Sequence, residues 1–172
     1  GPRREIGTRT VFNVLGPLTN PAGASCQLIG VYAPELTEKL AGVLDQLGAE
    51  RAIIVHGVDG LDEITLTGSS RLSQLTNGKI ETTEIHPSQF GIELSDSNAL
   101  KGGDAVTNAK ILCEILDGGL GPKRDIVLLN AAAALVAGGV SFSIGEGVER
   151  AREAIDDGSA RNTLDSFIKM SH

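Results

Sequence analysis

Asp59, Asp62 and Glu63 place three carboxylates within five positions of the segment Val55-His56-Gly57-Val58-Asp59-Gly60-Leu61-Asp62-Glu63. Acids at this density on a glycine-bearing turn suit a hard divalent cation. Mg2+ takes one or two carboxylates and completes its shell with water and substrate phosphate oxygens. The same residues also read as a solvated acidic turn, and spacing alone leaves both readings open. His56 is the one histidine near the acids. It has the chemistry of a general base, but at a strand end it reads as a packed or hydrogen-bonded side chain.

What such acids can do depends on the elements that deliver them. Ala52-Ile53-Ile54-Val55 is a short β-branched run, the pattern of a buried strand in a mostly parallel sheet. Asp59-Gly60 then turns the chain. In open α/β sheets ligands bind beyond the carboxyl ends of the strands, which is where this turn leads. Upstream, Gln27–Tyr32 predicts another strand and Pro34 suits a helix first turn. Leu36, Leu40, Val43, Leu44 and Leu47 fall on one helical face, with Gly48 placed to end the helix. Strand, helix and strand make a βαβ crossover of about 30 residues. Downstream, Arg71–Thr76 and Lys79–Ile85 flank Asn77-Gly78, the strongest short hairpin signal, and this hairpin (residues 71–85) is expected as a sheet edge or a decoration beyond the acidic loop.

The remaining segments read as scaffold. Between Thr10 and Gly23 the Gly16-Pro17 and Asn20-Pro21 steps disfavour long regular structure after Leu15. Gly102-Gly103-Asp104 resembles a phosphate-binding turn, yet Asp104 is a good N-cap for a helix through Leu116, and its charge at that helix start disfavours an anion. Ile126–Ala137 predicts a buried helix in which Asn130 needs a hydrogen-bond partner and is structural. Glu146–Asp157 predicts a helix with Val148, Ala151 and Ile155 inward and Gly158 as its stop. Ser159 then caps a last helix with Leu164, Phe167 and Ile168 inward. The fold class expected is α/β, a mainly parallel sheet with flanking helices and one hairpin, as a single domain over residues 1–172.

Composition bounds the partners. The 172 residues carry a net charge of −7, which argues against non-specific nucleic-acid binding and against an anionic membrane surface. Arg3, Arg4 and Arg9 form a small local basic patch. With aromatics at 3 %, the core is aliphatic. Cys26 and Cys113 fit no metal spacing and read as reduced thiols. No signal peptide and no long apolar run is apparent, so a cytoplasmic protein is expected. The sequence carries no Gly-x-Ser-x-Gly elbow, zinc ligand set, Walker loop or dinucleotide fingerprint.

Several blocks together are specific. Arg3-Arg4-Glu5-Ile6-Gly7, Arg9-Thr10-Val11-Phe12-Asn13-Val14-Leu15-Gly16-Pro17-Leu18-Thr19-Asn20-Pro21 and Val55–Glu63 closely resemble the signature of the anthranilate phosphoribosyltransferase family. Gly102-Gly103-Asp104-Ala105 with Asn108-Ala109, and Leu128-Leu129-Asn130-Ala131-Ala132-Ala133-Ala134-Leu135, resemble its later blocks in the same order. The resemblance implies transfer of the phosphoribosyl group from 5-phosphoribosyl 1-diphosphate to anthranilate, releasing diphosphate, in tryptophan biosynthesis. It implies that Asp62 and Glu63 hold Mg2+ on the diphosphate and that Arg3 binds the anthranilate carboxylate, for which a guanidinium fork is well shaped. Taken alone, Arg3 reads as a terminal charge. No protein nucleophile is required: diphosphate leaves, the ribose carbon becomes oxocarbenium-like, and the amine attacks from the opposite face.

Family members are about twice as long, beyond the roughly 100–200 residues of one domain. The expectation is therefore a carboxy-terminal half of an incomplete nucleoside phosphorylase/phosphoribosyltransferase-like domain. The amino-terminal half, with its helical domain, its Gly-Thr-Gly-Gly-Asp diphosphate loop and its Lys-His-Gly-Asn segment, is absent, and the isolated chain is expected to be inactive. The family dimerises through that helical domain, so a homodimer stays open for this chain. The alternatives are a pyrimidine nucleoside phosphorylase relative, disfavoured by the Arg9–Pro21 block, and a non-catalytic binding or structural domain.

Overall fold

The computed structural model describes residues 12–171. A short helix α1 (Phe12–Leu18) leads into strand β1 (Cys26–Gly30), helix α2 (Glu35–Gln46) and strand β2 (Arg51–Gly57). A hairpin of β3 (Ser70–Thr76) and β4 (Lys79–Ile85) follows, then two short 3-10 turns and the helices α3 (Ala105–Leu116), α4 (Pro122–Ala137), α5 (Ile144–Asp156) and α6 (Ser159–Met170).

β2 is the centre of a layered α/β/α arrangement. Its side chains alternate between faces. Ala52 and Ile54 pack with Leu40, Ala41 and Leu44 of α2. Ile53 and Val55 pack with Leu129, Ala132, Ala133 and Val136 of α4 and Val148 of α5. Burial on both faces explains the continuous apolar run. A third cluster, Ile115, Leu128, Ala151 and Ile155, joins α3, α4 and α5 without the sheet. Gly147 lets α4 and α5 touch: a Cβ there would lie 2.8 Å from the Ala132 Cα.

The expected βαβ unit is present, with β1 and β2 parallel and Leu28 opposite Ile53. The mainly parallel sheet is corrected. Among the described residues the sheet order is β1-β2-β3-β4, and the β2–β3 and β3–β4 pairings are antiparallel. The segment between β2 and β3 holds no helix to carry the chain back for a parallel return, so it reverses onto β2. β3 is consequently internal, and only β4 occupies the edge foreseen for the hairpin. The turn itself is as expected, with positive φ at Asn77 (50°) and Gly78 (80°).

Other details shift. Helix α1 runs through Gly16-Pro17 and closes at Leu18, where the Thr19 N–H and hydroxyl both donate to the Leu15 carbonyl, at 3.0 and 2.8 Å. Gly48 ends α2 with φ +84°. Val43 and Leu47 are exposed, because α2 contacts the sheet along the narrower stripe Thr37, Leu40, Ala41 and Leu44. Asp104 caps α3 by accepting from the Thr107 N–H at 2.8 Å. The cap of α6 is Gly158 rather than Ser159, and Phe167 and Ile168 are exposed rather than inward. Among the described residues α6 packs mainly along α3 and α5, which leave that face uncovered.

Candidate functional site

The acidic loop leaves β2 at the carboxyl end of the parallel β1–β2 pair. The Val31 N–H donates to the Val55 carbonyl at 2.9 Å, extending the pairing just past β1. His56, buried, lies 2.8 Å through Nδ1 from the Val31 carbonyl. A carbonyl only accepts, so Nδ1 carries the proton. His56 thus ties the end of β1 to β2, the hydrogen-bonded role its strand-end position suggested. It lines a separate cavity of about 500 Å³ with Pro34, Arg71 and Glu84, while Asp62 and Glu63 line another.

Asp59 is consumed by the loop itself. Its Oδ2 accepts from the hydroxyls of Thr65 (2.7 Å) and Thr67 (2.9 Å), and its Oδ1 accepts from the Leu61 N–H (3.2 Å). Burial by itself would raise its carboxyl, but these bonds together outweigh it and hold Asp59 below the ordinary value. Of the three acids, Asp59 therefore shapes the turn, and the other two remain for a ligand.

Asp62 and Glu63 are solvent-accessible. They line a cavity of about 450 Å³ with Leu28, Gly30 and Val55 of the sheet and Ile126, Val127, Asn130 and Ala131 of α4. Partial desolvation, and then the charge of Asp62, raise the Glu63 carboxyl above its ordinary value. Two like charges are thus held side by side, and among the described residues neither forms an ion pair. A divalent cation relieves that repulsion. Among the described residues no cluster of three or more acidic, His or Cys side chains forms. Two carboxylates with room for water and phosphate oxygens have the chemistry of a Mg2+ site.

Two residues that contact the backbone of the acid segment were not recognised from sequence. Gly30 lies directly beneath the loop: a Cβ there would come 1.6 Å from the Asp62 carbonyl oxygen. A glycine closing a strand-like run is the one signal that pointed to such a close backbone approach. Asn130 reads as structural along the chain, but its partner, the backbone of Ile64 next to Glu63, is 66 positions away and has no signature in the sequence. Arg3, with Arg4 and Arg9, lies outside the described residues.

Comparison with known proteins decides the family. The model of the glycosyl transferase family, a/b domain, matches residues 1–161. The chain belongs to this glycosyl transferase family. It is 52 % identical over 172 residues to an anthranilate phosphoribosyltransferase of Geobacter sulfurreducens, covering 100 % of this chain and 49 % of that protein. It is 51 % identical to one from Acetivibrio thermocellus, covering 100 % and 50 %. The anthranilate phosphoribosyltransferase of Thermus thermophilus superposes with a TM-score of 0.88 at 41 % identity, over 97 % of this chain and 49 % of that one. The Saccharomyces cerevisiae protein in complex with PRPP and Mg gives 0.85 at 33 % identity, over 97 % and 48 %. The glycosyl transferase chain described here thus spans about half the length of the relatives it matches.

Proposed function

We propose that this chain is the carboxy-terminal half of the α/β domain of an anthranilate phosphoribosyltransferase, and that it works as one part of a phosphoribosyl-transfer site. The observation that carries the reading is the placement of Asp62 and Glu63 in a cavity beyond the carboxyl ends of β1 and β2. The substrates are 5-phosphoribosyl 1-diphosphate and anthranilate, the products are diphosphate and the phosphoribosylated amine, and the pathway is tryptophan biosynthesis. Relatives bearing that activity in their names, one solved with PRPP and Mg, support it.

In this reading Asp62 and Glu63 would hold Mg2+. The metal supplies positive charge to a leaving group that gains negative charge. The chain's own part is to present two carboxylates to one cavity, with Asp59 and its two threonines keeping the turn closed. Arg3 pairs with the anthranilate carboxylate. Catalysis then rests on placement and electrostatics. These 172 residues span about half of the relatives they match, and on their own they are expected to be inactive without the other half of the site. The free, partly buried Cys26 and Cys113 suit a reducing cytoplasm.

The test is anthranilate consumption with 5-phosphoribosyl 1-diphosphate and Mg2+, using the chain alone and then mixed with the amino-terminal half of a relative. Turnover only on mixing is expected; a folded mixture with no turnover removes the proposal. In a complete enzyme, Asp62→Ala or Glu63→Ala raises the Mg2+ requirement with little loss of fold, and an unchanged rate at limiting Mg2+ removes the metal assignment. Arg3→Ala raises the anthranilate KM; a normal KM leaves Arg3 a terminal charge.

A further inference from the structure

Asn130 sits on α4, in the layer packed over the sheet, yet it satisfies both backbone polar groups of Ile64. Its Oδ1 accepts from the Ile64 N–H at 2.9 Å, and its Nδ2 donates to the Ile64 carbonyl at 2.9 Å. The second Nδ2 proton goes to the Ile126 carbonyl at 3.0 Å, one helical turn back. Both donors and the carbonyl oxygen are therefore engaged, and the amide has one workable orientation: a flip would set Nδ2 against the Ile64 N–H.

The clamp acts at a particular place. Ile64 is buried and directly follows Glu63. On the other side of Glu63, the Asp62 main chain rests on Gly30, where no side chain intervenes. Glu63 is thus strung between two fixed points, one on β1 and one on α4, and Asn130 lines the same cavity as the acids. Mg2+ tolerates little variation in ligand distance and geometry. A carboxylate on a backbone that drifts must be ordered each time the ion binds.

We propose that Asn130 is a positioning residue for the acid pair, fixing the Glu63 backbone through Ile64 so that Asp62 and Glu63 converge on one divalent cation. This rests on the metal reading of the acid pair. Asn130 itself touches neither cation nor substrate in this role; it couples the position of α4 to the acids.

The probe is Mn2+, a paramagnetic hard cation, titrated into the isotope-labelled chain. Amide signals of Asp62, Glu63 and Ile64 broaden first in the unaltered chain. In Asn130→Ala the midpoint moves about tenfold upward, the size typical when a group supporting a metal ligand is lost. Val136→Ala, a buried apolar truncation on the same helix, serves as a control for lost stability and leaves the midpoint in place. An unchanged midpoint in a folded Asn130→Ala, or an equal shift in Val136→Ala, overturns the proposal while leaving the metal reading intact. Absence of localised broadening in the unaltered chain overturns the metal reading, and the proposal with it. If Asn130→Ala fails to fold, Mg2+ is titrated into the unaltered chain. Movement of the Asn130 side-chain amide signals with the same midpoint as the Glu63 amide supports the clamp; stationary Asn130 signals overturn it.

Discussion

Gly30 and Asp62 meet backbone to backbone: a methyl group at residue 30 would stand 1.6 Å from the Asp62 carbonyl oxygen. No rotamer change relieves such a contact, because the obstacle is main chain. Gly30→Ala is therefore expected to push the acidic loop off β1 and to cost at least about 2 kcal/mol, the upper part of the range for overpacking. Chemical denaturation reads the loss, and the amide shifts of residues 58–64 report the displacement. A variant as stable as the original, with unmoved loop signals, would show that the loop does not rest on Gly30.

Asp59 gives a pH signature. Its Oδ2 accepts two hydroxyl bonds and its Oδ1 one amide bond. An amide side chain can supply only one of those oxygens, so Asp59→Asn loosens the turn. The site is open to solvent, so the expected cost near neutral pH is about 0.5–1 kcal/mol. The sign follows from the carboxyl being held below its ordinary value. An acid lowered on folding contributes stability above its unfolded value, about 3.9 for Asp. That contribution is lost as pH falls through the lower folded value. The difference between Asp59→Asn and the unaltered chain should shrink as pH drops below about 4, and a difference constant from neutral pH to acid would contradict this role.

Gly147 sets the spacing of α4 and α5. A Cβ there would meet the Ala132 Cα at 2.8 Å and Cβ at 2.9 Å. Gly147→Ala gains helix propensity but forces the helices apart, and a net loss of about 1–3 kcal/mol is expected. Thermal unfolding measures it. An increase in stability would mean that the helices separate freely.

Arg124 is a nearly buried charge at the start of α4. Its guanidinium bonds the Gly118 carbonyl at 3.1 Å and the Asp156 carboxylate at 2.6 Å. Removing Asp156 leaves that charge short of a partner. Because Asp156 is half exposed, Asp156→Ala should cost about 1–2 kcal/mol rather than the larger penalty of a fully buried pair. Arg124→Met, which removes the charge and keeps much of the apolar volume, should be milder. The opposite ranking in denaturant midpoints would assign the stability to the arginine stem.

The acidic turn, the central strand, the βαβ unit and the Asn77-Gly78 hairpin were legible in the sequence because their causes are local. A β-branched run, a glycine with positive φ or an Asp at a helix start acts through its immediate neighbours. The family's blocks were legible for the same reason, being contiguous. Tertiary structure alone decided the rest. Whether the hairpin joined the sheet depended on what β2 still had free to bond, and that made the described sheet mixed rather than mainly parallel. Which of the three acids stayed open depended on Thr65 and Thr67 capturing Asp59. Gly30 and Asn130 work across separations that no periodicity encodes; their importance comes from where the folded backbone passes. Spacing along the chain thus specified the chemistry available, while packing across it determined which side chains were left to perform it.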